Sequence, residues 1–229
     1  MSRLTISPTG REILDDPATD PAAVALSLQN IARANRWFGG LAAVRYGLHR
    51  VLGREVRHAT LLDVGTGQGD VPLMARTWAQ ARGLDLEIVG VDRHPVAAHL
   101  ARRQGVPAVV ACAGDLPVRS RGVDVVVVSQ VAHHLDARSC ILLFRECHRV
   151  ARLGVVIADL RRSRPAAAGF WLGSRLLRFD PVTCADGLTS LRRGFTVEQL
   201  RSLLREADIP ATVVRRPGAR LVATWSTAR

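Results

Sequence analysis

Short apolar runs alternate with segments of helical length through the middle of this 229-residue chain. The runs are rich in Val, Ile and Leu and lack polar alternation, which is typical of strands buried on both faces. They cover residues 61–64, 87–92, 108–112, 123–129 and 155–159, and the helical segments cover 71–82, 96–104 and 137–152. This alternation predicts a doubly wound, Rossmann-like α/β fold with five parallel strands.

The flanking segments predict helices before the sheet and a hairpin after it. Asp20-Pro21 is typical of a helix start, and Gly39-Gly40 separates that helix from a second one, so residues 1–58 are expected to form an N-terminal helical cap. Residues 59–229 then form the main domain, with an insert at 161–194 after the fifth strand that contains a helix around 169–179. Apolar runs on both sides of Pro217-Gly218 predict an antiparallel hairpin that completes a seven-stranded sheet.

Composition excludes several kinds of chemistry and location. All 32 basic residues are arginine, so Schiff-base chemistry, pyridoxal-phosphate anchoring and a phosphate-loop lysine are ruled out. No apolar run approaches the roughly 18 residues of a membrane span, and residues 1–20 do not resemble a signal peptide. The four cysteines form no CxxC pair, which predicts a reducing cytoplasmic location and neither a disulfide framework nor a metal site.

The positive charge is concentrated towards the C-terminus. The formal net charge is +12, and residues 161–229 contribute thirteen arginines against five acids. Such a segment could favour an anionic substrate, a nucleic acid or an acidic partner, and a general preference for arginine in the proteome explains it equally well.

A glycine loop follows the first strand in the sequence LLDVGTGQGD, residues 61–70. Gly65, Gly67 and Gly69 permit positive φ and close approach of a ligand to the backbone. The spacing is GxGxG, and Asp70 occupies the place of the third glycine of the dinucleotide fingerprint. A pyrophosphate here would be repelled by Asp63 and Asp70, whereas S-adenosylmethionine, which has an ammonium, a sulfonium and no phosphate, would be attracted. A tight strand-to-helix turn without a ligand is the alternative.

Acids also stand at the ends of the next two strands. Asp92 ends the second strand and can accept both ribose hydroxyls of a nucleoside, although NAD sites use the same device. Asp115 follows the third strand and could accept from an adenine amino group or simply form a turn. Acids at three consecutive strand ends together favour a nucleoside cofactor.

With these motifs the chain resembles the class I S-adenosylmethionine-dependent methyltransferases. The resemblance covers residues 59–160 through LLDVGTGQGD, EIVGVD, AGDLP, VDVVVVSQVAHHLD and FRECHRVARLGVVIADL. It is closest to the group that includes ubiquinone and menaquinone methyltransferases and many small-molecule O-methyltransferases. One departure is Arg152-Leu153-Gly154 before the fifth strand, where the group usually has a Pro-Gly-Gly turn.

The resemblance implies a set of cofactor-binding residues. Asp63, Gly65 and Gly67 would line the methionine part, Asp92 the ribose, Asp115 and Leu116 the adenine, and Ser129 the pocket floor. The predicted set is completed by neighbours of these positions, Thr66, Gly69, Asp70 and Arg93.

Two histidines follow the fourth strand at the edge of the sheet where methyl transfer would occur. A phenol acceptor has a pKa near ~10 and benefits from a general base, so His134 or His133 is the predicted base, with His134 preferred. Helix capping or packing under the cofactor is the alternative for both. His148 is expected to be structural.

The acceptor is expected to be a small molecule, most simply an oxygen of an aromatic or polyketide-like secondary metabolite. Its predicted contacts are Trp37, Phe38, Tyr46, Phe170, Trp171 and Arg192. Alternatives are a nucleic-acid methyltransferase, which the absence of a Pro-Pro-aromatic element after strand four disfavours, a quinone-precursor C-methyltransferase, a nucleotide-binding oxidoreductase and a non-catalytic cofactor-binding scaffold. Residues 37–46 could equally form a homodimer surface.

Overall fold

A seven-stranded sheet forms the centre of the computed structural model, which describes Glu12 and residues 19–227. Its strands are β1 (His58–Val64), β2 (Asp85–Asp92), β3 (Ala108–Val110), β4 (Val123–Ser129), β5 (Ala151–Leu160), β6 (Thr212–Arg216) and β7 (Arg220–Ser226). The order across the sheet is β3-β2-β1-β4-β5-β7-β6, with the first five strands parallel and β7 antiparallel to β5 and β6. The predicted doubly wound sheet with a closing hairpin is confirmed.

Eight α-helices surround the sheet within the described residues. They are α1 (Pro21–Trp37), α2 (Gly40–Val51), α3 (Asp70–Gln80), α4 (Pro95–Arg103), α5 (Ala137–Val150), α6 (Arg164–Leu176), α7 (Pro181–Arg193) and α8 (Val197–Glu206). The helix start predicted at Asp20-Pro21 is present, with the Asp20 side chain as its cap, and a Thr196–Gln199 capping box begins α8. None of the helices in this part of the chain is long and apolar enough to cross a membrane.

The insert after β5 differs from the prediction because it contains two helices. The expected helix at 169–179 is α6, which begins earlier, at Arg164, and ends at Leu176. Arg178 then adopts a φ of 53°, and the Asp180 side chain caps a new helix that starts with Pro181. These local signals at Asp180-Pro181 start α7, a helix that was not predicted.

The helices cover the sheet in two layers. Helices α5 and α8 pack on one face around Phe144, Leu200 and Leu203, while α2, α3 and α4 pack on the other. Helix α2 was assigned by sequence to the cap at 1–58, but Val44 and Leu48 are buried with the strands in the second core cluster. Residues 1–11 and 13–18 of that predicted cap lie outside the described residues.

Gly47 allows α2 to lie directly against β5. A Cβ at this position would overlap the Val156 side chain, which is fully buried. We expect Gly47→Ala to lower the free energy of unfolding by about 1–3 kcal/mol through overpacking. This loss is larger than the stabilisation that alanine's higher helix propensity provides. Thermal melts would check this, with Gly169→Ala in α6 as the control because nothing lies within 4 Å of its added Cβ. Equal melting temperatures for the two variants would contradict the packing argument.

The carboxyl ends of the parallel strands meet at one edge of the sheet, and α1, α6 and α7 lie over that edge. Helix α1 is fastened to α7 by polar contacts: Asn30 Nδ2 donates to Asp180 Oδ2 at 2.8 Å, and Thr183 Oγ1 lies 3.2 Å from Ser27 Oγ. The strand ends and these helices therefore enclose a space between them.

Candidate active site

A cavity of about 920 Å³ occupies this space. Its walls are the glycine loop, the ends of β2, β4 and β5, and the inner faces of α1, α6 and α7. Eleven of the residues predicted from sequence line it: Gly65, Thr66, Gly67, Asp70, Asp92, Arg93, Ser129, His133, His134, Phe38 and Phe170.

The glycine loop is held to the end of β2 by backbone hydrogen bonds. The amides of Gly65 and Thr66 both donate to the Val91 carbonyl, at 2.8 and 3.0 Å. Gly65 has a φ of 75° and Gly67 a φ of 54°, and a Cβ at Gly65 would collide with Val131. Only glycine therefore suits this bend, which leaves its backbone open to the cavity.

Asp92 is fixed by the same loop. One carboxylate oxygen accepts from the Gly67 amide at 2.9 Å and the other from the His94 amide at 2.9 Å. Each oxygen retains a second lone pair, so the carboxylate can still accept from a diol in the cavity.

Asp63 lies beneath the glycine loop instead of lining the cavity. Burial raises its pKa to about 8, the nearby Thr66 hydroxyl lowers it in part, and the charges of Asp70 and Asp92 raise it further. Neither carboxylate oxygen has a hydrogen-bond partner of normal geometry among the described residues. Burial also raises the pKa of Asp70, although Asn35 Nδ2 donates to it at 2.9 Å. The three acids therefore form an acidic site whose ionised form a bound cation would stabilise.

A polar chain links this acidic site to the far side of the cavity. Gln130 Nε2 donates to Asn35 Oδ1, and Arg220 Nη1 donates to Gln130 Oε1 at 2.6 Å. Arg220 also donates to the Phe38 carbonyl at 3.3 Å. All four residues line the cavity, and sequence reasoning predicted only Phe38.

His133 forms a buried pair with Asp159 at the end of β5. The ring nitrogen Nδ1 lies 2.6 Å from Asp159 Oδ1, and the backbone amide of His133 donates to Oδ2 at 3.3 Å. Burial alone would raise the pKa of Asp159, but the His133 imidazole holds it below its usual value. The carboxylate fixes the proton on Nδ1, leaving a lone pair on Nε2 in the neutral ring. Nε2 is buried and has no hydrogen-bond partner among the described residues.

Glu12 and Arg193 complete the surroundings of the two histidines. The Arg193 guanidinium donates to the carbonyls of His133 and His134 at 3.1 and 2.8 Å, which holds the turn between β4 and α5 in place. Glu12 accepts from Ser190 Oγ at 2.8 Å and lies 3.5 Å from Arg193 Nη1.

The same cluster has the composition of a metal-ligand set. The Glu12 carboxylate lies 3.9 Å from His133 Nε2 and 3.7 Å from His134 Nε2. The three ligand atoms lie within 4.8 Å of one another. A divalent ion would there face the buried Arg193 guanidinium, which already neutralises Glu12, so we assign the cluster to ion pairing and proton transfer.

The predicted adenine contacts lie outside the cavity wall. Strand β3 ends at Val110, two residues earlier than expected, so residues 111–114 line the cavity instead. Asp115 is exposed, and Leu116 is buried in the core with its amide donating to Glu146 Oε1 at 2.8 Å. Gly69 caps α3 with a φ of 90° and packs against Val106.

Four of the six predicted acceptor contacts also lie elsewhere. Trp37 is 67% exposed, and Arg192 is exposed on the outside of α7. Tyr46 packs under the Arg216 guanidinium at 4.2 Å and Trp171 under that of Arg175 at 3.8 Å, both away from the cavity. Phe38 and Phe170 do line the cavity, with ring centroids 5.6 Å apart.

Comparisons with known proteins agree with this architecture. Residues 62–158 match the family model described as a methyltransferase domain. The structure is similar to that of a SAM-dependent methyltransferase from Aquifex aeolicus, with 16% identity and a TM-score of 0.63 over 91% of this chain and 99% of that one. It is also similar to a putative S-adenosyl-L-methionine-dependent methyltransferase from Methanococcus maripaludis, with 14% identity and a TM-score of 0.65 over 96% of each chain.

A larger enzyme shares the fold over part of its length. The O-methyltransferase NcsB1 from neocarzinostatin biosynthesis, crystallised with S-adenosylmethionine and 2-hydroxy-5-methyl naphthoic acid, has 19% identity and a TM-score of 0.65 over 96% of this chain and 62% of its own. A comparison with curated protein sequences found no match.

The fold and the family match over residues 62–158 define the class of protein. Residues 62–158 match a methyltransferase domain, and the fold is shared with S-adenosylmethionine-dependent methyltransferases. The acidic site is compatible with S-adenosylmethionine. Its ammonium and sulfonium groups would place positive charge beside the carboxylates of Asp63, Asp70 and Asp92.

Proposed function

We propose that this chain transfers a methyl group to a hydroxyl oxygen of a small molecule, with His133 as the general base. The observation that carries this proposal is the buried Nε2 of His133, which has no hydrogen-bond partner among the described residues. Asp159 holds the His133 ring in place. His133 lines the same cavity as Asp92 and the glycine loop.

The cofactor would lie along the glycine loop and the end of β2. The open backbone at Gly65, Thr66 and Gly67 suits the methionine part, and Asp92 suits the ribose hydroxyls. Asp70 faces the cavity and can contact the cation directly, while Asp63 acts through its field from beneath the loop. Arg93, Ser129 and residues 111–114 complete this part of the wall.

The rest of the cavity suits an aromatic acceptor. A volume of about 920 Å³ lies near the upper end of the range for ligand sites, which leaves room for a second small molecule beside the cofactor. Phe38, Phe170 and Leu191 supply an apolar wall at this end. The aromatic acid in NcsB1 and the similarity to the mitomycin 7-O-methyltransferase MmcR support this acceptor class. A space enclosed by α1, α6 and α7 favours a small molecule over a nucleic acid.

The residues around His133 define its part in the reaction. S-adenosylmethionine supplies an activated methyl group whose bond to sulfur breaks as the bond to the acceptor oxygen forms. His133 Nε2 accepts the hydroxyl proton, and the Asp159 carboxylate on Nδ1 stabilises the resulting imidazolium. Arg193 holds the backbone of both histidines, so the base keeps its orientation during proton transfer.

Replacement of Asp92 tests the cofactor assignment. We expect Asp92→Asn to weaken S-adenosylmethionine binding by about 10- to 100-fold. The reason is that an amide has only one oxygen, whereas both carboxylate oxygens accept from backbone amides and are proposed to accept from the ribose. Calorimetry with S-adenosylmethionine, its demethylated product and NAD would measure this. Asp85→Asn, at the other end of β2, is the matched control and should bind normally. A protein that binds NAD but not S-adenosylmethionine would contradict the assignment.

A further inference from the structure

Arg161 occupies a rigid position at the acceptor end of the cavity. It directly follows β5, two residues after the Asp159 that holds His133. Its amide donates to the Ala219 carbonyl at 2.7 Å, and its backbone forms a bridge with Phe195. The Cα is therefore fixed while the side chain contributes to the cavity wall.

The Arg161 side chain has no protein partner within the described part of the chain. Its Nε is buried and makes no hydrogen bond, and the guanidinium forms no ion pair. The two arginines that are buried among the described residues are satisfied: Arg193 contacts Glu12 and two carbonyls, and Arg220 donates to the Gln130 and Phe38 oxygens. A buried N–H without a hydrogen-bond partner is destabilising, and a ligand that accepts from Nε removes that penalty.

A second arginine adds positive charge to the same wall. Arg220 is buried on the same wall and donates to neutral oxygens, those of the Gln130 amide and the Phe38 carbonyl. The acids that line the cavity are Glu12, Asp70, Asp92 and Asp186, and none of them forms an ion pair with Arg161. Glu12 lies on Arg193, and Asp70 and Asp92 belong to the cofactor end.

We propose that the acceptor carries a carboxylate and that Arg161 binds it, so the substrate class is a hydroxyl-bearing aromatic acid. This inference rests on the proposed function, since it places the acceptor hydroxyl near His133. A guanidinium can bind a carboxylate through two parallel hydrogen bonds, which fixes the orientation of the acid as well as its position. Arg161 thereby becomes the residue that selects an anionic acceptor over a neutral one.

A matched pair of probes tests this selection. We would titrate 3-hydroxy-2-naphthoate and its uncharged amide into protein saturated with the demethylated cofactor. The wild type should bind the acid at least about tenfold more tightly than the amide, because only the acid pairs with the guanidinium. Arg161→Gln should reduce this ratio to near one, and Arg161→Lys should leave an intermediate ratio because the charge remains without the fork. Arg164→Gln, an exposed arginine at the start of α6, should keep the wild-type ratio.

The controls separate this proposal from the proposed function. Arg161→Gln should bind the demethylated cofactor with unchanged affinity, which also shows that the variant folds. A wild-type ratio near one, an unchanged ratio in Arg161→Gln, or no binding of the acid by the wild type at about 1 mM would each overturn the carboxylate assignment. Failure of the wild type to bind the demethylated cofactor would instead overturn the methyltransferase site itself.

Discussion

Replacing His133 with alanine should lower kcat by about 10²- to 10⁴-fold while leaving S-adenosylmethionine affinity unchanged. The reason is that Nε2 is the proton acceptor in the proposed reaction, and Asp159 of β5 holds the imidazole, whereas the proposed cofactor contacts are the glycine loop and Asp92. Single-turnover transfer of a labelled methyl group to a hydroxyaromatic acid would measure the chemical step, and calorimetry would measure cofactor affinity. His99→Ala, on the exposed face of α4, is the matched control.

The two histidines are distinguished by a second substitution. His134 is only partly buried and lies 3.7 Å from Glu12, so His134→Ala should cost much less activity than His133→Ala. A larger loss of activity in His134→Ala than in His133→Ala would favour His134 as the base, as the sequence predicted. It would also contradict the role of Asp159 in orienting the base.

Asp159 should act as a positioning residue for His133. Asp159→Asn should lower kcat because an amide no longer fixes the proton on Nδ1 or stabilises the imidazolium. In a His133→Ala background the same change should have little further effect, whereas a merely structural role would give additive losses.

Local sequence patterns predicted the part of the site that is built from strand ends. The glycine loop and Asp92 lie where parallel topology places them, because the carboxyl ends of neighbouring strands meet at one edge. The predicted adenine residues Asp115 and Leu116 lie outside the cavity wall because β3 ends at Val110, and residues 111–114 line the cavity there. Strand ends are the least reliable feature of a sequence pattern.

The arrangement of side chains at the other end of the cavity could not be predicted in this way. Glu12 and Arg193 are 181 residues apart and meet only through tertiary packing. The sequence identified the aromatic segments but not which side chains face the cavity. Phe38 lines the cavity and Trp37 does not, and likewise Phe170 lines it and Trp171 does not. Neighbouring residues on a helix point in different directions, so composition alone cannot select the one that faces a ligand. Asp159 could have been found from the sequence, because it ends the apolar run at 155–159 that was predicted as the fifth strand.

Asp63 should impair stability and support cofactor binding at the same time. Its folded-state pKa of about 8 lies above the ordinary value of 3.8, so the unfolded chain loses this proton at lower pH than the folded protein does. The contribution of Asp63 to the free energy of unfolding is therefore fully present below pH ~4 and falls as pH rises towards 8, by at most about 1.4 kcal/mol per unit. Asp63→Asn removes this penalty and should raise the melting temperature at pH 7–8 by a few degrees.

Cofactor binding should respond to pH in the opposite direction. A bound cation favours the ionised carboxylate, so wild-type affinity for S-adenosylmethionine should strengthen between pH 6 and 8, by at most about tenfold per unit, and level off above 8. Burial raises the pKa of Asp70 as well, so the difference between wild type and Asp63→Asn isolates the contribution of Asp63. The variant should bind about 10- to 100-fold more weakly at pH 8.

Melting curves and calorimetry across pH 6–9 would measure both effects in the same samples. Asp208→Asn is the control, because its side chain is 91% exposed and an asparagine tolerates its φ of 62°. A variant that melts below wild type at every pH, together with wild-type affinity that does not change with pH, would show that Asp63 has a partner in solution. The cationic part of S-adenosylmethionine would then have to be recognised by Asp70 and Asp92 alone, and Asp63 would serve only the fold of the loop.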